Sequence, residues 1–168
     1  DSMRDSIGAA LKFRGHSLNS TNPAALKEAR EVLLEAKRRS VAFEGSVGAR
    51  NRVLGKSAVA AIVYSGEAAR GIAEDPETGY VIPREGSQIW LDTLAVVARA
   101  PHRDLAETFI NFLLEPQVGA RISTFTSFAT PNAAARALLP PAILANPVIY
   151  PPDELTSKLE FLEDLGGR

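Results

Sequence analysis

Apolar residues recur at helical spacing in three stretches of the chain. In "TNPAALKEAREVLLEAKRRS", Leu26, Ala29, Leu33 and Ala36 share one face, Asn22 can cap the start, and Pro23 suits the first turn. Lys37, Arg38 and Arg39 then stand where a helix end carries partial negative charge. "HRDLAETFINFLLEP" puts Leu105, Phe109, Ile110 and Leu113 on a second buried face, with Asp104 and Glu107 spaced like a capping box. "PQVGARISTFT" supplies a third helix through Val118, Ile122 and Phe125.

Between these lie the short apolar runs "AFEG", "AVAAIVYS", "YVIP" and "WLDTLAVVA". The second and fourth are continuous enough to read as strands covered on both faces. Strands alternating with helices predict an α/β fold with a largely parallel sheet, in which ligands gather at strand ends. The tail is punctuated by Pro140, Pro141, Pro147, Pro151 and Pro152, and is expected to wrap the surface before one last helix. No internal repeat or flexible linker interrupts the pattern.

Composition narrows the classes of partner. With 168 residues and 45% hydrophobic content, the chain can build one substantial core or two small lobes. Lysine plus arginine number 19 and aspartate plus glutamate 20, a net charge of -1, which offers no footprint for nucleic acid or an anionic membrane. Cysteine is absent, removing disulfides, thiolate nucleophiles and cysteine zinc sites. With His16 and His102 the only histidines, neither a metal nor a cofactor is expected. No run approaches the roughly 18 apolar residues of a membrane span, and "DSMRDSIGAA" lacks the basic and apolar regions of a signal peptide.

Several motifs fail on context. "GKS" at Gly55 to Ser57 needs a glycine where Arg50 stands and a strand before it, so it reads as a helix-ending turn rather than a phosphate loop. No nucleophile elbow of glycine, any, serine, any, glycine occurs. "NST" at Asn19 matches a glycosylation acceptor pattern that is common by chance.

"QIWLDTLAVV" raises a sharper question, because it sets an acid in an apolar run, where desolvation is costly. On a strand, Trp90 and Asp92 point the same way, and an aromatic face beside a carboxylate suits an ammonium group. The bland alternatives are a core tryptophan and an aspartate that caps a helix or pairs with an arginine. The other apolar run ends in "VYSGEAARG", delivering Tyr64 and then Glu67 at the start of a short helix, where an acid is also favoured by the dipole. "TFTSFATPNAAAR" adds Phe128 before a proline turn.

At these residues the chain resembles the spermidine- and putrescine-binding proteins of bacterial ABC importers. The resemblance runs in order through "DSMRD", "YSGEAARG", "IPREGSQIWLDTLAV", "AETFINFLLEPQVGARIS", "FATPNAAAR" and "NPVIYPPDEL". It implies a two-lobed α/β, periplasmic-binding-protein-like fold of type II, of which this chain carries mostly one lobe, a mixed or parallel sheet flanked by helices. It also implies a diamine held in the cleft by aromatic faces and carboxylates. Trp90 and Asp92 match the family's cleft tryptophan and amine-binding aspartate, Glu67 an acid after the strand-end glycine, and Asp5 an acid of the opening helix motif. Tyr64 stands where relatives usually carry tryptophan, and Phe128 where they carry tyrosine or another residue; Glu163 is the nearest candidate in the last helix.

The implied layout is residues 1–90 in the second lobe, 91–131 crossing to pack with the first lobe, and 132–168 returning to a C-terminal helix. Most of the first lobe is expected to be missing, so the segment from about Leu94 to Pro131 should expose apolar surface. A homodimer, a separate first-lobe fragment, or refolding against its own lobe would cover it. The implied function is a periplasmic or extracytoplasmic solute-binding module, not an enzyme, that delivers a polyamine to an ABC permease in the membrane. Competing readings are the same fold binding another small amine or solute, a hydrolase using Glu67 and Asp92 as paired carboxylates, and a non-transport effector or partner lobe.

Overall fold

A computed structural model describes residues 2–166. The chain divides into two units, Asp1–Trp90 with Pro152–Arg168, and Leu91–Pro151.

The first unit is built on a helix pair. Helix α1 (Met3–Phe13) is capped by Ser2, whose hydroxyl accepts from the Asp5 N–H, and α2 (Pro23–Lys37) is capped by Asn22 with Pro23 in its first turn. They bury Ala10 and Leu11 against Ala25 and Ala29, with Ile7, Val32 and Leu33 packed around. The contact is dominated by alanine, so the backbones approach closely and Leu26, expected inside, lies at the margin, 38% exposed. Helices α3 (Ser46–Leu54) and α4 (Ser65–Glu74) form a second pair. Gly55 ends α3 and Lys56 takes a left-handed φ of 55, so "GKS" is a helix-ending turn.

Strand β1 (Ser87–Ile89) pairs in parallel with β2 (Leu159–Phe161), Gln88 opposite Glu160. Gly86, at φ +95, enters this ladder where a Cβ would run into the Lys158 carbonyl oxygen. Glu160 bonds out of the ladder to the Lys12 ammonium, the Ser17 hydroxyl at 2.6 Å and the Leu18 N–H at 3.2 Å. Asn19 ties down the chain beyond β2, donating to the Phe161 carbonyl at 2.8 Å and accepting from the Glu163 N–H at 3.0 Å. The "NST" asparagine is therefore a structural bridge.

In the second unit, α5 (Arg103–Leu114) is followed by α6 (Pro116–Thr126), α7 (Ala133–Arg136) and α8 (Pro141–Leu144), and the core is Ala120, Ala135 and Leu139 with Ile143, Leu144 and Tyr150 packed against them. Asn132 caps α7 and donates to the Leu114 carbonyl at 2.8 Å, joining the end of α5 to the start of α7. The Tyr150 hydroxyl accepts from the Thr130 N–H, and the Arg136 guanidinium lies 4.7 Å from the Tyr150 ring centroid.

Four expectations need correction. "AFEG", "AVAAIVYS", "YVIP" and the stretch after Trp90 form no ladder among the described residues; Val59 is fully exposed and Ile62 79% exposed. A continuous apolar run encodes a demand for burial, but a strand exists only against another strand, and the described residues supply none here. The α5 face that periodicity alone reads as buried is open, with Leu105 68% and Phe109 57% exposed, as the family resemblance implies for the segment from about Leu94 to Pro131. The α5 capping box gives way to a start at His102 and an Arg103–Glu107 pair at 2.6 Å. The last helix is one turn, α9 (Asp153–Thr156), followed by β2.

Candidate ligand-binding site

Three elements of the first unit bring an acid and two aromatic rings together. The extended run before α4 delivers Tyr64 as that helix's N-terminal residue, and its N–H donates to the Ser46 hydroxyl of α3 at 3.2 Å. The Tyr64 hydroxyl donates to Asp5 Oδ2 at 3.2 Å. Asp5 is placed in the first turn of α1 by the Ser2 cap. Trp90 follows β1 directly and meets the Tyr64 ring edge-on, centroids 5.4 Å apart and planes at 65°. Both rings keep exposed surface, 41% for Tyr64 and 38% for Trp90.

The electrostatics of Asp5 and Glu67 differ. Asp5 has no ion-pair partner among the described residues; its carboxylate accepts the neutral phenol of Tyr64. Glu67, 6% exposed in the first turn of α4, has one oxygen on the Arg50 guanidinium at 2.9 Å and the other on Arg70. Arg50 is itself held, donating from Nε and Nη2 to Asn51 at 3.2 and 3.0 Å. A buried carboxylate gripped by two cations is stable because its charge is compensated. With a guanidinium on each oxygen, its charge is already compensated and it presents no bare anion to a cationic ligand.

Asp92 and Phe128 belong to the second unit. Asp92 is exposed in an extended stretch with no ion pair among the described residues, and Phe128 is half-buried, its carbonyl accepting from the Ser123 hydroxyl at 2.5 Å. Glu163 uses its backbone, accepting from Arg4 at 2.8 Å and donating to Asn19. Sequence reasoning named Asp5, Tyr64 and Trp90 but missed Arg4, Ser46 and Arg50. The spacing of Ser2 and Asp5 at the start of α1 was a legible capping signal; the arginine on Glu67 left none. No group of three or more potential metal ligands occurs among the described residues, and none of their helices is long and apolar enough to cross a membrane.

Helices around a small parallel ladder, with an acid and two partly exposed aromatic rings brought together from helix starts and a strand end, define an α/β module. The chain belongs to the bacterial extracellular solute-binding protein family, whose model matches residues 1–151. It is 32% identical over 174 residues to a putrescine/cadaverine-binding protein of Pseudomonas aeruginosa, covering 100% of this chain and 49% of that one. It is also 32% identical over 166 residues to the spermidine/putrescine-binding periplasmic protein of Salmonella typhimurium, covering 99% and 47%. Among solved structures, one from Listeria monocytogenes assigned to a spermidine/putrescine ABC transporter superposes with a TM-score of 0.90 at 35% identity, covering 98% of this chain and 51% of that one. The fold is thus periplasmic-binding-protein-like, and the chain spans about half the length of the curated relatives it matches.

Proposed function

We propose that the chain is the amine-contacting part of an extracytoplasmic solute-binding protein that hands a polyamine to an ABC-type permease. The observation that carries this reading is Asp5: a carboxylate with no ion-pair partner among the described residues, bonded to Tyr64, whose ring in turn meets Trp90. A primary ammonium group satisfies that arrangement, donating to Asp5 while its methylenes pack on the two rings. In the second unit, Asp92 and Phe128 are the acid and the aromatic ring that the family resemblance assigns to amine contact. No bond is made or broken, so the role is binding rather than catalysis. The polyamine ligands and periplasmic location in the relatives' names support the ligand class and the compartment.

In this reading residues 91–131 pack with a complementary lobe and 132–168 are the return segment, of which Pro152–Arg168 belongs to the first unit. That lobe, or a second copy of the chain, covers the apolar surface of α5.

The test is calorimetric titration of the purified chain with putrescine, spermidine, a quaternary amine and an amino acid, repeated for Asp5→Asn and Asp92→Ala. Primary polyamines should bind in preference to the other two, and either substitution should remove the preference. Equal binding of all four, or polyamine binding indifferent to both substitutions, would overturn the reading.

A further inference from the structure

We propose that Glu67 serves the amine site as a positioning residue, through an arginine bracket that sets the Tyr64 ring, rather than as a direct ligand of the cation. This deepens the polyamine reading above and rests on it for the ligand's identity.

Tyr64 stands at the junction of two helices. Its N–H is held by Ser46 at the start of α3, and three residues further on Glu67 is held by Arg50 from the same helix at 2.9 Å. The two bonds fasten the first turn of α4 to α3 on either side of the tyrosine. Arg50 cannot swing freely, because Asn51 accepts from its Nε and Nη2 and its aliphatic stem crosses α4 at Gly71. A Cβ at Gly71 would come within 3.3 Å of Arg50 Cγ, so glycine one turn beyond Glu67 makes room for the bracket. Arg70 closes the other oxygen of Glu67. The consequence is geometric: where α4 begins, and so where the Tyr64 hydroxyl meets Asp5 and its ring meets Trp90, depends on an ion pair 17 residues apart in sequence.

The two roles for Glu67 predict opposite signs at Arg50. If Glu67 were a cation ligand, Arg50→Ala would unmask its charge and tighten polyamine binding, while Glu67→Gln would weaken it. If Glu67 positions Tyr64, both changes weaken binding, each by about tenfold, and the double variant is no worse than either alone. Arg50→Lys, which keeps the charge but loses the planar fork, should rescue little.

A second readout needs no ligand. Trp90 is the only tryptophan, so its near-ultraviolet circular dichroism reports the Tyr64 contact directly. Glu67→Gln and Arg50→Ala should each change that signal in the free chain, as should Tyr64→Ala. Tighter binding by Arg50→Ala, or an unchanged Trp90 signal in both bracket variants, would overturn the proposal. An absence of amine binding by the wild-type chain would count against the polyamine reading, while the Trp90 signal still decides whether the bracket sets the ring. Gly71→Ala, which crowds Arg50 without altering any charge, should reproduce the Trp90 change if the bracket is the cause.

Discussion

Tyr64 and Asp5, 59 residues apart in the sequence, meet through a 3.2 Å hydrogen bond in which the phenol is the only group given to the carboxylate by another side chain among the described residues. The bond orients the acid without neutralising it. One oxygen is engaged by a hydroxyl and the full negative charge remains for a cation.

Asp5→Asn should therefore weaken polyamine binding by about 10- to 100-fold, the range expected from losing a charged hydrogen-bond acceptor. Tyr64→Phe keeps the ring against Trp90 and removes only the orienting hydroxyl, so its loss should be smaller, about three- to tenfold. Titration calorimetry of the three proteins checks the order. A larger effect from Tyr64→Phe than from Asp5→Asn would place the cation elsewhere.

Glu160 makes the first unit sensitive to acid. The Lys12 ammonium, the Ser17 hydroxyl and the Leu18 N–H together hold its carboxyl below the ordinary value of 4.5. A depressed folded-state pKa favours the folded protein above the unfolded value, and that contribution disappears as pH falls through the depressed one. The midpoint of urea unfolding should accordingly be flat near neutrality and fall below about pH 4.5, with Glu160→Gln showing a lower midpoint at pH 7 and a shallower acid slope. Identical slopes in the two proteins would show that other carboxylates govern acid stability.

Gly86 is required by conformation and by space. Alanine there must adopt φ near +95 and must push its methyl group away from the Lys158 carbonyl oxygen, which would spread β1 from β2. Gly86→Ala should lose at least about 1–3 kcal/mol of stability, measured by urea unfolding. Gly79, where a Cβ would meet nothing within 4 Å, is the matched control and should tolerate alanine. Equal stability of the two variants would mean that the ladder contributes little.

How legible these features were depended on their sequence range. The start of α2 was written locally, in Asn22 and Pro23, and the structure uses both. Of the face read as Leu26, Ala29, Leu33 and Ala36, Ala29 is buried and Leu33 packs against the core, but Leu26 lies at the margin and Ala25, small enough for the backbones to approach, takes the buried place. Helix α3 carried no apolar stripe in "SVGARNRVL" and went unread; none of its residues is buried. "LEF" at 159–161 lay in a tail read as helical, yet it forms β2 because β1 lies alongside and Glu160 finds Lys12 and Ser17, contacts about 70 to 150 residues away. The same limit applied to the site. Residue types suited to an amine could be named, but the meeting of Tyr64 with Asp5, and of Arg50 with Glu67, is created by folding and has no local signature.

The apolar surface left open leads to the last prediction. Ile62 in the run before α4 of the first unit, and Leu105 and Phe109 on α5 of the second, are each more than half exposed, and large apolar side chains left open in this way mark interfaces. The 59–63 run also makes no backbone hydrogen bond to another backbone group among the described residues, and open donors and acceptors template association with another strand. Native mass spectrometry of the isolated chain should therefore find species above its own 18.0 kDa, either a dimer or a complex with a complementary fragment, and the same spectrum would reveal any retained amine. Ile62→Lys and Phe109→Lys should each shift the population toward monomer, because neither charge can be buried in an apolar contact without several kcal/mol of desolvation. A wild-type chain that stays monomeric and soluble at high concentration would mean that these surfaces close against the chain itself in solution. In that case the two substitutions should lower its unfolding midpoint instead of its mass.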